Sequence, residues 1–273
     1  MDMPSLSYGI DDAGVATVRF KRLSDSFAGD PPGEIHDEVG RVIHELAAHD
    51  DLRAVILTGA NDGEFLAPPD RDHYNAGTSN ARLRDPYTTW IRYRGVVRAM
   101  RGIADLEVPV IARVNGDAVS FGQSLMFVCD FVVAREDAHI SDMHLSRGSA
   151  LRSSDGAVIG PEVSMVPGDG ALPIVPLLLA PALAKEYLIF GRTFTAGELA
   201  NMGVINYAVP LADLDAKTAE LVEGILDRPR DIVAWTKRLA NRNIMRALDE
   251  GLDASIGFQM LRIAQDYGVE GRN

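Results

Sequence analysis

One cysteine, Cys129, occurs in 273 residues, so no internal disulfide can form. It sits in an apolar run, where a thiol packs as a small hydrophobe rather than reacting. No apolar stretch is long enough to span a bilayer. The longest, Ala171 to Leu183, is interrupted by prolines. The opening Met1-Asp2-Met3-Pro4-Ser5 has neither the basic nor the apolar region of a signal peptide. These absences together predict a cytoplasmic protein away from the membrane. Positive charge is also in short supply: 27 Lys and Arg stand against 39 Asp and Glu, a net charge of −12. Such a surface repels nucleic acid and anionic lipid, which excludes both as expected partners. The cluster Arg92, Arg94, Arg98 and Arg101 is either a solvated helix face or an anion contact. No Cys/His ligand set is present. Of the six histidines, His36 and His44 are about two helical turns apart, so no metal is expected.

The remaining sequence alternates strand and helix signals. Leu6 to Ile10 and Val15 to Phe20 flank Asp11-Asp12-Ala13-Gly14 as a hairpin. Ile35, Val39, Val42, Ile43 and Leu46 carry helical spacing over Glu34 to Ala48. Arg53 to Thr58 reads as a buried strand, and Asn61 to Asp85 as one long loop. A helix over Pro86 to Ile103 precedes a strand over Val108 to Val114. Asn115-Gly116 then reads as a turn opening a helix over Ser120 to Val128, with a strand at Phe131 to Ala134. Leu145 to Pro161 is an exposed insertion rich in Ser, Arg and Gly. Leu172 to Phe190 is a helix broken by Pro173, Pro176 and Pro181. Thr195-Ala196-Gly197-Glu198 is a capping box. Val204 to Val209 is a strand, and everything after Leu211 is helical. The pattern gives an α/β core over 1–210 with a helical region over 211–273.

Met165-Val166-Pro167-Gly168-Asp169-Gly170 sets one carboxylate between two glycines at a helix start. Asp169 is either the cap of the following helix or an acid/base group, and the spacing leaves both open. His144 is either a half-buried loop histidine or a proton-transfer group. His36, in Ile35-His36-Asp37-Glu38, is either a surface residue at a helix start or part of a site. His139 reads as structural, and His44 and His49 as solvent-facing. Asp70, Asp72 and His73 form an acidic loop cluster, by solvation alone or as a lid.

Three ordered pieces resemble the crotonase superfamily of enoyl-CoA hydratases and isomerases. They are Ile111-Ala112-Arg113-Val114-Asn115-Gly116-Asp117-Ala118 with its helix ending at Cys129-Asp130, Val166-Pro167-Gly168-Asp169-Gly170, and Phe194 to Asn206. The resemblance spans roughly residues 6 to 265. It implies a ββα spiral core, a C-terminal α-helical region that builds trimers, often as a dimer of trimers, and a backbone oxyanion hole for an enolate. The two donor N–H groups fall on Ala67 and Phe121, although Pro68 and Pro69 and the Ser120-Phe121-Gly122 triplet depart from the family pattern. The hydratases' two water-handling glutamates fall on Ser124 and His144, so the two-glutamate route is not expected.

His36, His144 and Asp169 resemble a branch of the superfamily, the 6-oxocamphor hydrolase-like β-diketone hydrolases. The implied activity is retro-Claisen C–C cleavage with catalytic Asp169, His144 and His36 and no cofactor. A further histidine of that branch falls at Phe121 and a glutamate at Gln259. Two alternatives stand beside it: an enoyl-CoA hydratase/isomerase-type enzyme with CoA thioester as substrate, and a non-catalytic trimeric binding protein. The partner is then a small molecule, a cyclic diketone or an acyl-CoA. The apolar positions Ile232, Val233, Leu239, Ile256 and Phe258 predict a homotrimer or dimer of trimers.

Overall fold

The computed structural model describes residues 3–22, 34–67, 86–145 and 165–268. The expected insertion (Leu145 itself apart), Pro68, Pro69 and the Asp70–His73 cluster lie outside the described residues.

The hairpin forms as β1 (Leu6–Ile10) and β2 (Val15–Phe20), paired antiparallel with Leu6 opposite Phe20. Its turn is closed by Asp11, whose carboxylate accepts from the N–H groups of Ala13 (3.0 Å) and Val15 (2.9 Å). The first long helix, α1 (Ile35–Leu46), buries Ile35, Val39, Val42, Ile43 and Leu46 on one stripe. That stripe packs on α2 (Pro86–Asp105). Buried Glu38 ties α1 to the chain start by accepting from Ser5 N–H (2.7 Å) and Ser5 Oγ–H (3.0 Å).

The core is a repeated strand–strand–helix unit. β3 (Ala54–Gly59) leads to β4 (Glu64–Leu66), then to α2. β5 (Val110–Val114) leads to β6 (Asp117–Val119), then to α3 (Phe121–Val128). β7 (Phe131–Arg135) leads to β8 (His139–Ser141). The first strand of each unit joins one sheet and the second joins another. The larger sheet has the order β1-β2-β3-β5-β7-β10, and the smaller β4-β6-β8-β9, where β9 is Phe194–Thr195 and β10 is Tyr207–Val209. All pairs are parallel except β1/β2 and β8/β9.

Two expectations are corrected here. The Asn115-Gly116 turn opens β6 rather than a helix, and Asn61 to Asp85 contains β4 rather than being one loop. Three-residue strands carry too little periodicity to stand out in sequence. Asn115 fixes the turn: its Oδ1 accepts from Gly59 N–H (2.9 Å), and its Nδ2 donates to the Asn61 carbonyl.

The proline-broken segment is two helices, α4 (Ala171–Leu178) and α5 (Pro181–Phe190), with Pro181 at the start of the second. The capping box heads α6 (Ala196–Asn201), with Glu198 N–H donating to Thr195 Oγ1 (3.1 Å). The chain continues through a short 3₁₀ turn into α7 (Leu214–Leu226), α8 (Arg230–Ala240) and α9 (Arg242–Gly268). α9 packs on α4 and α2, and its Leu248, Leu252 and Ile256 join the main core. Ile256, expected on an unpartnered face, is therefore buried within its own chain. α8 is anchored by buried Lys237, whose Nζ donates to the carbonyls of Ile103 and Val108 (2.9 Å each) and pairs with Asp130 (2.7 Å).

Candidate functional site

Three side chains converge where the smaller sheet meets α4. β8 ends at Ser141, and the next residue, Asp142, is fully buried. Its Oδ1 accepts from the backbone N–H of His144 (2.9 Å) and from His144 Nδ1–H (2.8 Å). These two bonds to one oxygen hold the imidazole in one orientation. The other ring nitrogen, Nε2, faces Asp169 Oδ2 at 3.6 Å. Asp169 is buried, and its Oδ1 has no hydrogen-bond partner.

The cap reading of Asp169 does not fit this geometry. The residue at the cap position of α4 is Gly170, in a left-handed conformation (φ 111°) that only glycine adopts readily, and no side chain caps the helix. The Pro-Gly-Asp-Gly turn thus aims the carboxylate at His144 and away from α4.

The charges reinforce one another. Burial pushes the His144 imidazolium down, but Asp169 and Asp142 outweigh it and hold the ring up at about 9. Burial also raises Asp169, opposed by His144 and raised further by Asp142. His144 is thus held toward its protonated form between Asp142 and Asp169, and the Oδ1 of Asp169 is left without a partner. A carboxylate with a raised pKa is the stronger proton acceptor.

Asp142 is held in turn. Gln123 Nε2 donates to its Oδ2 (3.4 Å) and to Ser124 Oγ (2.9 Å), and Gln123 Oε1 accepts from Tyr187 OH (3.3 Å). Tyr187 is raised well above the ordinary phenol range by burial, Asp142 and Asp169, so it stays a neutral donor. Ser124 stands at the end of this chain with its hydroxyl on Gln123. Ser124→Ala is expected to leave kcat within about threefold, under about 1 kcal/mol of barrier, when turnover is compared at equal concentration. A hundredfold loss would place the chemistry elsewhere.

His36 lies at the start of α1. Its Nδ1 meets Glu34 Oε1 at 2.7 Å, and its ring lies on Phe121 with centroids 4.4 Å apart. The ring contact with Phe121 sets His36 beside the start of α3, where one of the two oxyanion candidates lies. Of the arginine cluster, Arg92 pairs with Glu34 (3.0 Å), Arg94 and Arg98 reach Asp37 (3.9 Å each), and Arg101 reaches Asp249 (3.3 Å). These arginines serve the chain's own carboxylates. His139 Nδ1 sits 3.3 Å from Asp117 Oδ1, and His44 and His49 are exposed.

The two oxyanion candidates are neighbours. Gly122 lies so close to the Leu66 carbonyl that any Cβ there would clash, which seats the first turn of α3 against the end of β4. Phe121 opens α3, and helix geometry leaves its N–H without an intrahelical partner. Ser120 before it takes a left-handed conformation (φ 51°) that is strained for a residue with a Cβ. Ala67 N–H donates to Glu64 Oε1 over a long 3.4 Å bond, which an enolate oxygen would have to displace.

Asp142 is the member that sequence reasoning missed. Its signal was the Asp142-Met143-His144 spacing, which puts a carboxylate two residues before a histidine at a strand end. Asp142, rather than Asp169, orients the ring. Asp142, His144 and Asp169 present donor atoms within 4.8 Å of one another and so form a grouping able to hold a cation. A cation there would have to displace the proton that both carboxylates hold on His144. Gln259, buried with Oε1 unpartnered, lies against Gly168, one residue from Asp169.

The family described as enoyl-CoA hydratase/isomerase matches residues 11–272. The 4-chlorobenzoyl coenzyme A dehalogenase-1 of an Arthrobacter species is 25% identical over 260 residues, covering 93% of this chain and 83% of the relative. An enoyl-CoA hydratase/isomerase from Mycobacterium paratuberculosis superposes with TM-score 0.79 at 26% identity, over 96% of this chain and 95% of that one. A β-diketone hydrolase from Anabaena, bound to (S)-3-oxocyclohexyl acetic acid, superposes with TM-score 0.77 at 21% identity, over 96% and 95%. At that identity the last likeness concerns the fold alone.

Proposed function

The chain belongs to the enoyl-CoA hydratase/isomerase family, and from that premise we propose that it hydrolyses a C–C bond of a β-diketone. The observation that carries this reading is the buried Asp142–His144–Asp169 array, with Ser124 and His144 at the two positions where the resemblance expects the hydratases' glutamates. Asp169 Oδ1 has an open acceptor lobe and a raised affinity for a proton, which suits it to take a proton from water. The water oxygen adds to a ketone carbonyl as that proton passes to Asp169. The C–C bond then breaks, and its electron pair goes to the second ketone as an enolate, with the N–H groups of Ala67 and Phe121 as its donors. Return of the proton to the enolate carbon leaves a carboxylic acid and a ketone. His144, cationic between the two carboxylates, lowers the cost of charge moving on and off Asp169. His36, whose ring lies on Phe121, orients the substrate face. No cofactor enters the sequence.

A second reading keeps the enolate but places it on an acyl-CoA thioester. It is favoured by the dehalogenase relative, whose printed name carries coenzyme A and which spans 93% of this chain. The discriminating experiment assays cyclic 1,3-diketones without CoA beside a panel of acyl-CoA thioesters, together with CoA titration. Diketone turnover is the expected result. Turnover of thioesters alone, with micromolar CoA binding, overturns it in favour of the second reading, and silence on both panels favours a binding protein. We further propose a trimer, because Trp235 (59% exposed) and Leu239 (64%) on α8 and Phe258 (61%) on α9 leave large apolar surface unburied in one chain.

A further inference from the structure

We infer that Glu34, with Arg92 behind it, is a positioning residue that fixes which nitrogen of His36 faces the site. This rests on the placement of His36 in the site proposed above. Glu34 immediately precedes α1, and its two carboxylate oxygens work in different directions. Oε1 meets His36 Nδ1 at 2.7 Å, and Oε2 accepts from Arg92 Nε on α2 at 3.0 Å. Burial pushes the Glu34 carboxyl up, but Arg92 and His36 outweigh it and hold it down at about 2. Glu34 is therefore an acceptor only, and the proton it shares belongs to Nδ1 of His36. The hydrogen bond at one imidazole nitrogen decides the state of the other. Neutral His36 is thus the Nδ1–H tautomer, with its lone pair on Nε2.

Among the described residues, the other groups around the ring do not supply that bond. Phe121 offers only an apolar face at 4.4 Å. Asp37 on the same helix is turned toward Arg41, Arg94 and Arg98. A histidine that merely filled surface at a helix start would need neither a carboxylate on Nδ1 nor an arginine holding that carboxylate. The site accordingly holds two histidine–carboxylate dyads, Asp142–His144 and Glu34–His36, each built from residues close in sequence.

The test is ¹⁵N spectroscopy of the protein labelled at its six histidines, with His36 assigned by its loss in His36→Gln. The expected wild-type result is a neutral His36 protonated at Nδ1. In Glu34→Ala that preference should be lost, with kcat lower by roughly 10- to 100-fold and KM within about threefold, as for loss of an orienting partner. Glu34→Asp retains a carboxylate one methylene shorter and should give an intermediate tautomer ratio, so the test stands if the alanine variant fails to fold. A wild-type His36 protonated at Nε2, or a tautomer unchanged in Glu34→Ala whatever the rate, overturns the inference. Because the spectrum needs no substrate, a silent activity panel would count against the proposed reaction without deciding the role of Glu34.

Discussion

Asp169→Asn should lower kcat by about 10² to 10⁴, some 3 to 5 kcal/mol of barrier, with a loss of melting temperature no larger than the weaker hold on the His144 proton accounts for. The amide keeps the size of the carboxylate but not its charge. It cannot accept a proton, and it no longer supports the His144 imidazolium across 3.6 Å. No helix cap is lost, because the side chain caps no helix and its Oδ1 is unpartnered already, so any change in stability comes through His144. A structural role predicts the reverse pattern, normal turnover with a lower melting temperature. Parallel melts and steady-state kinetics on the two proteins separate these outcomes.

Asp142→Asn should also lower kcat by about 10² to 10⁴, through the ring rather than through the base. An amide can offer Nδ1 an oxygen but no charge, and its nitrogen can turn toward the ring instead. His144 would then lose both its fixed orientation and part of the field that keeps it cationic. This has a consequence for stability against pH. His144 is raised in the folded chain from its ordinary 6.5 to about 9. Its contribution is present in full below the ordinary value and is lost as pH rises through about 9, at most on the order of 3 kcal/mol. Wild-type melting temperature should therefore fall between pH 7 and pH 10, and Asp142→Asn should fall less over that interval. Equal slopes would show that Asp142 does not hold the charge on His144.

Much of the fold was legible because long elements announce themselves. The stripe of α1, the hairpin and the capping box of α6 each follow from local spacing or local hydrogen bonding. The strands β4 and β6 were missed because three residues carry no usable period. They are made by tertiary pairing in the smaller sheet. The site divides in the same way. Asp169 between glycines and the histidines drew attention as residue types out of place, yet the sequence left cap and acid/base group equally open for Asp169. The choice turned on Gly170, whose left-handed conformation takes the cap position and frees the carboxylate. Asp142 went unremarked because an acid beside a strand end is ordinary until its burial and its two bonds to His144 are seen. Glu34 and Arg92 lie far apart in the chain, so their pairing over His36 depends on the packing of α1 on α2.

The most direct measurement is the titration of the His144 ring by NMR in the wild-type protein, assigned through His144→Gln. Between two carboxylates the ring should remain an imidazolium through pH 8 and lose its proton only near pH 9. A His144 that is neutral at pH 7 would contradict the Asp142–His144–Asp169 array as the proton-transfer centre.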